Sequence, residues 1–311
     1  MILELPNRVL KRSTTVHNSR LEPFCDWLEA NVLFEQTELA FSDVVDRLIE
    51  EQIYADQDFA WEFVGNAMSV LRSRASSLQR AYPIEILPRR IQPEESSAQI
   101  GPYRFCLSLS VLPLFPNALT ALGSDFTEQG LLLERLAEAA LGRIFPSWGI
   151  HRTGWSVESP EQLPVLAERV ANIVDASVGR PEIFSGGSAK EAGLDVLCYR
   201  PFPDARGGYP CMFVQCTTGA STWKSKRKEP DLAVWQRAVL FDAPPMKAFV
   251  IPFAISAEEM RESSIIVEGP VIDRVRLLLP GRDGANWLPS ELESDLNSWI
   301  ESRHVLIPRL E

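Results

Sequence analysis

The sequence predicts an α/β protein in which helices flank a mixed central sheet and an α-helical region precedes that sheet. Three observations predict this class. Apolar residues at helical spacing dominate the first third of the chain, and two β-rich runs joined by a glycine-rich turn occupy residues 193–217. From about residue 126 onward, the predicted order is helix, helix, strand, strand, helix, strand, helix.

Two regions are expected, with a boundary near residues 94–99. The stretch AYPIEILPRRIQPEESS around that point contains three prolines and no sustained period, which is typical of an extended segment followed by a linker. Residues 1–98 are therefore predicted to form an α-helical N-terminal region with a regulatory or partner-binding role. Residues 99–311 are predicted to form the domain that contains the sheet.

The N-terminal region contains three predicted helices, over residues 21–34, 41–53 and 58–77, because apolar residues recur there every three to four positions. Residues 103–114 are almost wholly apolar, and their periodicity leaves a strand and a buried helix as open alternatives.

The strongest predicted helix covers residues 126–145, with acids in its first turn and Arg143 in its last. Glu134 lies at the border of its apolar face. The remaining predicted elements are a loop at 147–156, a helix at 159–179, the hairpin at 193–217, a helix at 231–241, a strand at 248–256, one or two short strands or a strand and a helix at 264–279, and a C-terminal helix at 289–303.

Composition limits the classes of function. The formal net charge of −11 opposes a surface that binds nucleic acid indiscriminately, but it permits a local basic patch. The chain lacks a P-loop, a GxGxxG motif and an HExxH motif, so the sequence does not support nucleoside-triphosphate, dinucleotide or zincin chemistry. Five cysteines without a CxxC pair, no long apolar run and no secretory signal predict a reduced, cytoplasmic protein.

Two polar side chains of the hairpin carry the strongest functional signal. Asp195 lies inside the apolar run LDVLCY, and Gln215 lies near the end of the apolar run CMFVQC. Burying an acid and an amide among apolar neighbours is costly unless a partner such as a metal ion compensates. The cations of WKSKRK follow directly, and the acid, the polar ligand and the basic cluster together indicate chemistry on a phosphate.

This order of motifs resembles the PD-(D/E)xK nuclease superfamily, the restriction-endonuclease-like fold. The family pattern is a Glu on a leading helix, an Asp on the second core strand and an (E/D/Q)-x-K on the third. Here GLLLERLAEAAL supplies Glu134, GLDVLCY supplies Asp195 and VQCTTG supplies Gln215, whereas the lysine position falls on Thr217. The resemblance covers about residues 126–255, and the chain is also similar to uncharacterised restriction-like proteins of bacterial defence islands.

The resemblance implies a Mg²⁺- or Mn²⁺-dependent endonuclease that cleaves DNA. Asp195, Gln215, Glu134 and the backbone carbonyl of Cys216 would hold the metal. It also implies a cytoplasmic nuclease effector of an anti-phage defence or restriction system, with a protein partner such as an ATPase, a helicase or a sensor subunit. A homo-oligomer is compatible with this role, and no membrane association is expected.

A cation is also expected in such a site, because charge develops on the phosphate during hydrolysis. Since Thr217 replaces the family's lysine, the resemblance implies that Lys226 or Lys224 orients the attacking water or stabilises that charge.

Each candidate residue also has a structural alternative. Glu134 is compatible with a solvated helix face, Asp195 with a structural ion pair and Gln215 with a core amide bonded to the backbone. The segment KSKRK is compatible with a solvated loop.

Two other functions stay open. In one, Cys216 is a nucleophile with a histidine as base, although His17, His151 and His304 lie in no companion motif. In the other, the altered motif has lost its metal, and the chain is a degenerate nuclease-fold subunit that binds proteins or nucleic acid within a defence complex.

Overall fold

The computed structural model describes residues 3–6, 21–94, 100–122, 126–153, 163–184, 192–204 and 206–309. The chain forms two compact units: unit 1 combines residues 1–125 with residues 278–311, and unit 2 comprises residues 126–277. The predicted boundary near residues 94–99 falls almost entirely on residues 95–99, which lie outside the described residues. Among the described helices, none has the length and apolar character needed to cross a membrane.

The described N-terminal part of unit 1 contains five helices and three short strands. They are α1 (Leu21–Glu35), β1 (Leu39–Ala40), α2 (Phe41–Glu50), α3 (Gln57–Leu78), β2 (Ile84–Ile86), β3 (Arg90–Pro93), α4 (Ile100–Val111) and α5 (Pro116–Leu122). The three helices predicted in this region are therefore present. β1 and β2 both pair with β3 in antiparallel fashion, which makes a small sheet that the sequence did not predict.

The open alternative at residues 103–114 is resolved as a helix, α4, which is buried on nearly every side. Its serines bond within the helix: Ser108 Oγ donates to Arg104 O at 2.7 Å, and Ser110 Oγ donates to Cys106 O at 3.3 Å. Because these hydroxyls find their acceptors one turn back, the helix can be buried without leaving them unpaired.

Unit 2 is built on a mixed five-stranded sheet within its described residues. Its elements are α6 (Thr127–Ile144), β4 (Gly149–Arg152), α7 (Leu163–Ile173), β5 (Ser177–Val178), β6 (Val196–Tyr199), β7 (Cys211–Cys216), α8 (Leu232–Ala238), β8 (Val239–Leu240), β9 (Met246–Val250), α9 (Ala257–Val267), β10 (Val271–Ile272) and α10 (Arg274–Leu277). The strand order is β10-β9-β7-β6-β4; β4, β6 and β7 are antiparallel, whereas β7, β9 and β10 are parallel. The predicted α/β class with a mixed sheet and flanking helices is confirmed.

The ends of four strands lie side by side along one edge of this sheet. Arg152 at the end of β4 pairs with Val196 at the start of β6, and Val196 pairs with Val214 of β7. Cys216 at the end of β7 pairs with Val250 at the end of β9. We call this edge, formed by the carboxyl ends of β4, β7 and β9 and the amino end of β6, the site edge.

Helices cover both faces of the sheet. α6 lies over the face that carries Ile150, since a Cβ added at Gly142 would meet Ile150 Cγ1 at 3.9 Å. The other face carries Phe213, whose ring meets that of Trp235 at 5.1 Å in a core shared with α7 and α8. The sheet is therefore buried on both sides, and its ends are the places where polar side chains reach solvent or a ligand.

The described chain ends in unit 1 with α11 (Ser290–His304), close to the predicted helix at 289–303. α11 packs on α4, where the rings of Phe105 and Trp299 meet edge to face at 5.1 Å.

Candidate functional site

Asp195 lies at the site edge, directly before β6. Its N–H donates to Val214 O at 3.0 Å, and its carbonyl accepts from Thr153 N at 3.0 Å, so the backbone is fixed by the strands on either side. The residue is only 7% exposed. Its Oδ2 accepts hydrogen bonds from Cys216 N and from Gln215 Nε2, the latter at 2.7 Å. A buried carboxylate is thereby directed at the end of β7.

The side-chain nitrogen of Gln215 lies between two hydrogen-bond acceptors. Nε2 donates to Asp195 Oδ2 at 2.7 Å and to Cys216 O at 2.8 Å. Its Oε1 is buried and accepts no hydrogen bond within the described part of the chain. That oxygen faces Gly193, where an added Cβ would lie 2.7 Å from it. A buried acceptor left unpaired costs about 1–3 kcal/mol, so this cluster has one more acceptor than the surrounding donors satisfy.

Gly193→Ala is expected to destabilise unit 2 by about 1–3 kcal/mol. Gly193 has φ of +70°, and its added Cβ would lie 2.7 Å from Gln215 Oε1 and 2.9 Å from Glu229 Cβ. Gly130→Ala in α6 is the matched control, because nothing lies within 4 Å of its added Cβ. Helix propensity predicts a stabilisation of about 0.5–1 kcal/mol for that control. Urea unfolding measures both, and a Gly193→Ala variant as stable as wild type would contradict this packing.

Glu134 reaches the site edge from α6 as part of an ion-paired group. Arg152 Nη1 lies 3.9 Å from Glu134 Oε2, and Arg152 Nε lies 3.6 Å from Glu138 Oε2. Glu134 is the more buried of the two acids. Sequence reasoning missed Arg152, because the stretch SWGIHRTGWS with its two glycines predicts a loop, whereas residues 149–152 form β4.

The thiol of Cys216 lies near both groups of charges. Burial raises the pKa of Cys216 well above its usual value, and the carboxylates of Asp195 and Glu134 raise it further. Both carboxylates are therefore close enough to the Cys216 thiol, at the end of β7, to influence it. A thiol that stays protonated is a poor nucleophile, which disfavours the cysteine-hydrolase alternative.

Lys224 is held away from Asp195 and Gln215. The segment WKSKRK forms a 3-10 helix, Trp223–Lys228, which we call the basic turn. Lys224 Nζ lies 2.6 Å from Glu259 Oε2 of α9. The basic turn is thus partly a charged contact with α9 and not a fully solvated loop.

The side chain of Lys226 makes no hydrogen bond or ion pair with any described residue, although its carbonyl accepts from Glu229 N at 2.9 Å. The structure does not bring it into contact with Asp195 or Gln215. At the lysine position of the family pattern, Thr217 N donates to Val250 O at 3.1 Å and Thr217 Oγ1 accepts from Gly219 N at 3.5 Å. Of the two candidate lysines, only Lys226 is therefore available to a ligand without breaking an ion pair.

Sequence reasoning also missed α9, which supplies Glu259. A signal was present, because Ser256 and Glu259 have the spacing of a capping box. Ser256 Oγ accepts from Glu259 N at 3.1 Å and begins the helix.

The oxygen atoms at the site edge differ in kind. Among the described residues, no group of three or more His, Cys, Asp or Glu side chains is arranged to hold a metal ion. The cluster instead offers the carboxylate of Asp195, the amide oxygen of Gln215 and the carbonyl of Cys216. Turning the Gln215 amide by about 180° exchanges Nε2 for the unpaired Oε1. After that exchange, a carboxylate, an amide oxygen and a main-chain carbonyl would face one another, and these are the kinds of oxygen that bind a hard cation such as Mg²⁺.

In comparisons with known proteins, no family model, no curated protein and no solved structure matches the chain. A function is therefore inferred from the geometry of the site edge together with the sequence motifs.

Proposed function

We propose that this protein is a metal-dependent phosphodiesterase that cleaves DNA, with its chemistry at the site edge of unit 2. The observation that carries the proposal is the buried cluster of Asp195, Gln215 and Cys216, in which Gln215 Oε1 lacks a donor within the described residues. A surplus of buried oxygen acceptors beside a carboxylate is relieved by a cation.

The order of elements supports a restriction-endonuclease-like fold for this unit. β4, β6 and β7 form an antiparallel series, and β9 then joins β7 in parallel after α8. Asp195 precedes the second strand of the series, Gln215 lies in the third, and Glu134 lies on the helix before the first. These are the positions at which the PD-(D/E)xK pattern has its polar ligands.

Each residue has a distinct role in this proposal. Asp195 supplies the negative charge that holds the cation, and Gln215 and the carbonyl of Cys216 add neutral oxygens. Glu134, which lies 3.9 Å from Arg152 Nη1, would accept a hydrogen bond from a water of the site. A bound Mg²⁺ or Mn²⁺ ion supplies a Lewis acid for the phosphoryl group.

The test is incubation of the purified protein with supercoiled plasmid and with linear duplex DNA. We expect nicking or cutting in Mg²⁺ or Mn²⁺ and none in EDTA. If the folded protein leaves DNA intact in both metals, the proposal is contradicted.

The cytoplasmic defence role and its ATPase, helicase or sensor partner belong to the same proposal. Phage challenge of cells that express the wild-type chain or an Asp195 variant tests that role.

A second function, a catalytically degenerate subunit, is favoured by one observation. Gln215 Nε2 already donates to both Asp195 and Cys216, so these two acceptors are satisfied without a metal. Calorimetric titration with Mn²⁺ separates the two functions: binding that is lost in Asp195→Asn supports the enzyme, and its absence in wild type supports the subunit.

Cys216→Ser is expected to change the rate of DNA cleavage by no more than about threefold, because the buried, protonated thiol is a poor nucleophile. The substitution keeps the main-chain carbonyl that the proposal uses. Cleavage rates in Mn²⁺ measure the effect, and a loss as large as that of an Asp195 variant would favour the cysteine nucleophile instead.

A further inference from the structure

We propose that the basic turn holds the phosphate backbone of duplex DNA beside the Asp195–Gln215 cluster, and that Glu259 and Glu262 of α9 occupy two of its cations until DNA binds. The choice of DNA as the ligand rests on the function proposed above. The surface itself is tested by binding, which is measured without cleavage.

Lysine is concentrated in this turn to a degree that the rest of the chain does not share. Of the six lysines in the sequence, Lys224, Lys226 and Lys228 lie within five residues, on a chain with a net charge of −11. A local concentration of positive charge on an acidic protein directs an anionic polymer to that place.

The turn is anchored next to the Asp195–Gln215 cluster. Trp223 is buried, and its ring lies 6.5 Å from the ring of Phe249. Phe249 of β9 is the direct neighbour of Gln215 in the sheet register. Trp223 N also donates to Gly219 O at 2.9 Å, which tightens the connection between β7 and the turn. The cations that follow Trp223 therefore start one strand away from Gln215.

Two of the four cations already bind anionic groups. Lys224 Nζ lies 2.6 Å from Glu259 Oε2, and Arg227 Nη1 lies 3.2 Å from Glu262 Oε1 and 3.8 Å from Glu259 Oε1. In the pair of Lys224 with Glu259 the lysine side chain is 52% exposed, and a pair with such an exposed member stabilises little. Arg227 is 12% exposed and also donates to Ser263 Oγ at 3.2 Å, so its guanidinium is held more firmly. Glu259 thus occupies a position beside Lys224 that a phosphate oxygen can take at small cost.

The other two cations are available. The side chains of Lys226 and Lys228 have no ion pair or hydrogen bond in the part of the chain that the structure describes, and Lys228 is exposed. With Lys224 released, the turn presents three lysine charges to a strand of phosphates, in addition to the largely buried charge of Arg227.

Fluorescence anisotropy with a labelled, mixed-sequence DNA duplex in EDTA tests this surface over a range of KCl concentrations. Each phosphate contact contributes about −0.9 to the slope of log K against log [salt]. The double variant Lys226→Gln/Lys228→Gln is expected to bind about tenfold or more weakly and to reduce the magnitude of the slope by about 2. Binding and slope equal to wild type would overturn the proposal.

The double variant Glu259→Gln/Glu262→Gln is expected to act in the opposite direction. Because Lys224 and Arg227 no longer have carboxylate partners, DNA is expected to bind about tenfold more tightly, with a steeper salt slope. A gain of affinity cannot arise from a loss of folding. Weaker or unchanged DNA binding by this variant would show that Glu259 and Glu262 do not compete with DNA for the cations of the basic turn.

Arg206→Gln is the matched control. Its side chain is 81% exposed in the connection between β6 and β7, at the opposite end of these strands from the site edge. We expect unchanged DNA affinity. A loss as large as that of the double lysine variant would show that DNA binding is not localised to the basic turn.

The binding proposal and the cleavage proposal can fail separately. If DNA affinity responds to these substitutions as expected but the protein does not cleave DNA in Mn²⁺, the nuclease activity is refuted and the DNA-binding role of the basic turn stands. If the protein cleaves DNA but these substitutions leave its DNA affinity unchanged, the basic turn is not the DNA-binding surface, and the proposed nuclease activity still stands.

Discussion

Arg74→Met is expected to lower the free energy of unfolding of unit 1 by about 3–5 kcal/mol. Arg74 of α3 places Nη1 2.8 Å from Asp26 Oδ1 and 3.0 Å from Glu29 Oε2, both on α1. The side chains of Arg74, Asp26 and Glu29 are 5%, 6% and 0% exposed. Without the guanidinium, two buried carboxylates lose a counter-charge that lies 2.8 and 3.0 Å away, and this loss costs far more than the pair contributes when intact.

The groups around Arg74 keep its guanidinium charged. Burial alone would lower the pKa of Arg74, but Glu29 and Asp26 raise it above its usual value. Tyr82 donates its hydroxyl to Glu29 Oε1 at 2.9 Å, and burial, followed by the Glu29 carboxylate, raises the pKa of Tyr82 well above its usual range. The phenol therefore remains a hydrogen-bond donor at any pH used for a stability measurement.

Urea unfolding at neutral pH measures the loss, and hydrogen–deuterium exchange of peptides from α1 and α3 assigns it to unit 1. The triple variant Asp26→Leu/Glu29→Met/Arg74→Met is the control, and it is expected to recover or exceed wild-type stability because none of the three buried charges remains. A deficit below about 1 kcal/mol would mean that water reaches the triad.

Local periodicity was sufficient to predict some elements of this fold. α6 extends over residues 127–144 where 126–145 was predicted, because its apolar face repeats over five turns. The β6–β7 hairpin follows from two apolar runs around a polar turn, and the pairing of its ends brings Asp195 beside Gln215. This half of the candidate site depends on short-range order, and the sequence could predict it.

The rest of the site depends on contacts that no local pattern contains. β4 has only four residues in a glycine-containing stretch, and its strand conformation is stabilised by the ladder to β6, more than forty positions away. The partner of Glu134, Arg152, follows from that ladder. The pairing of Lys224 with Glu259 likewise joins residues 35 positions apart. From the sequence alone, several oppositely charged residues are equally plausible partners for each of these charges. Only the packing of the sheet determines which one is close enough to form the pair.

Asp195→Asn is expected to reduce DNA cleavage in Mn²⁺ by at least about a hundredfold while stability stays close to that of wild type. Cys216 N and Gln215 Nε2 both donate to the same oxygen, Asp195 Oδ2. An asparagine whose Oδ1 takes that position keeps both of these hydrogen bonds while the negative charge is removed. Cation affinity and the rate of cleavage are therefore expected to fall together.

Asp204→Asn is the matched control for this prediction. Asp204 lies in the turn between β6 and β7, where Oδ1 accepts from Arg206 N at 3.3 Å, and an asparagine can accept the same bond. Initial rates of plasmid nicking, Mn²⁺ affinity by calorimetry and urea unfolding are compared for the two variants and wild type. Wild-type cleavage by a folded Asp195→Asn protein would show that the charge of this carboxylate does not hold the metal. A loss of cleavage that Asp204→Asn shares would mean that the effect comes from the hairpin and not from the Asp195–Gln215 cluster.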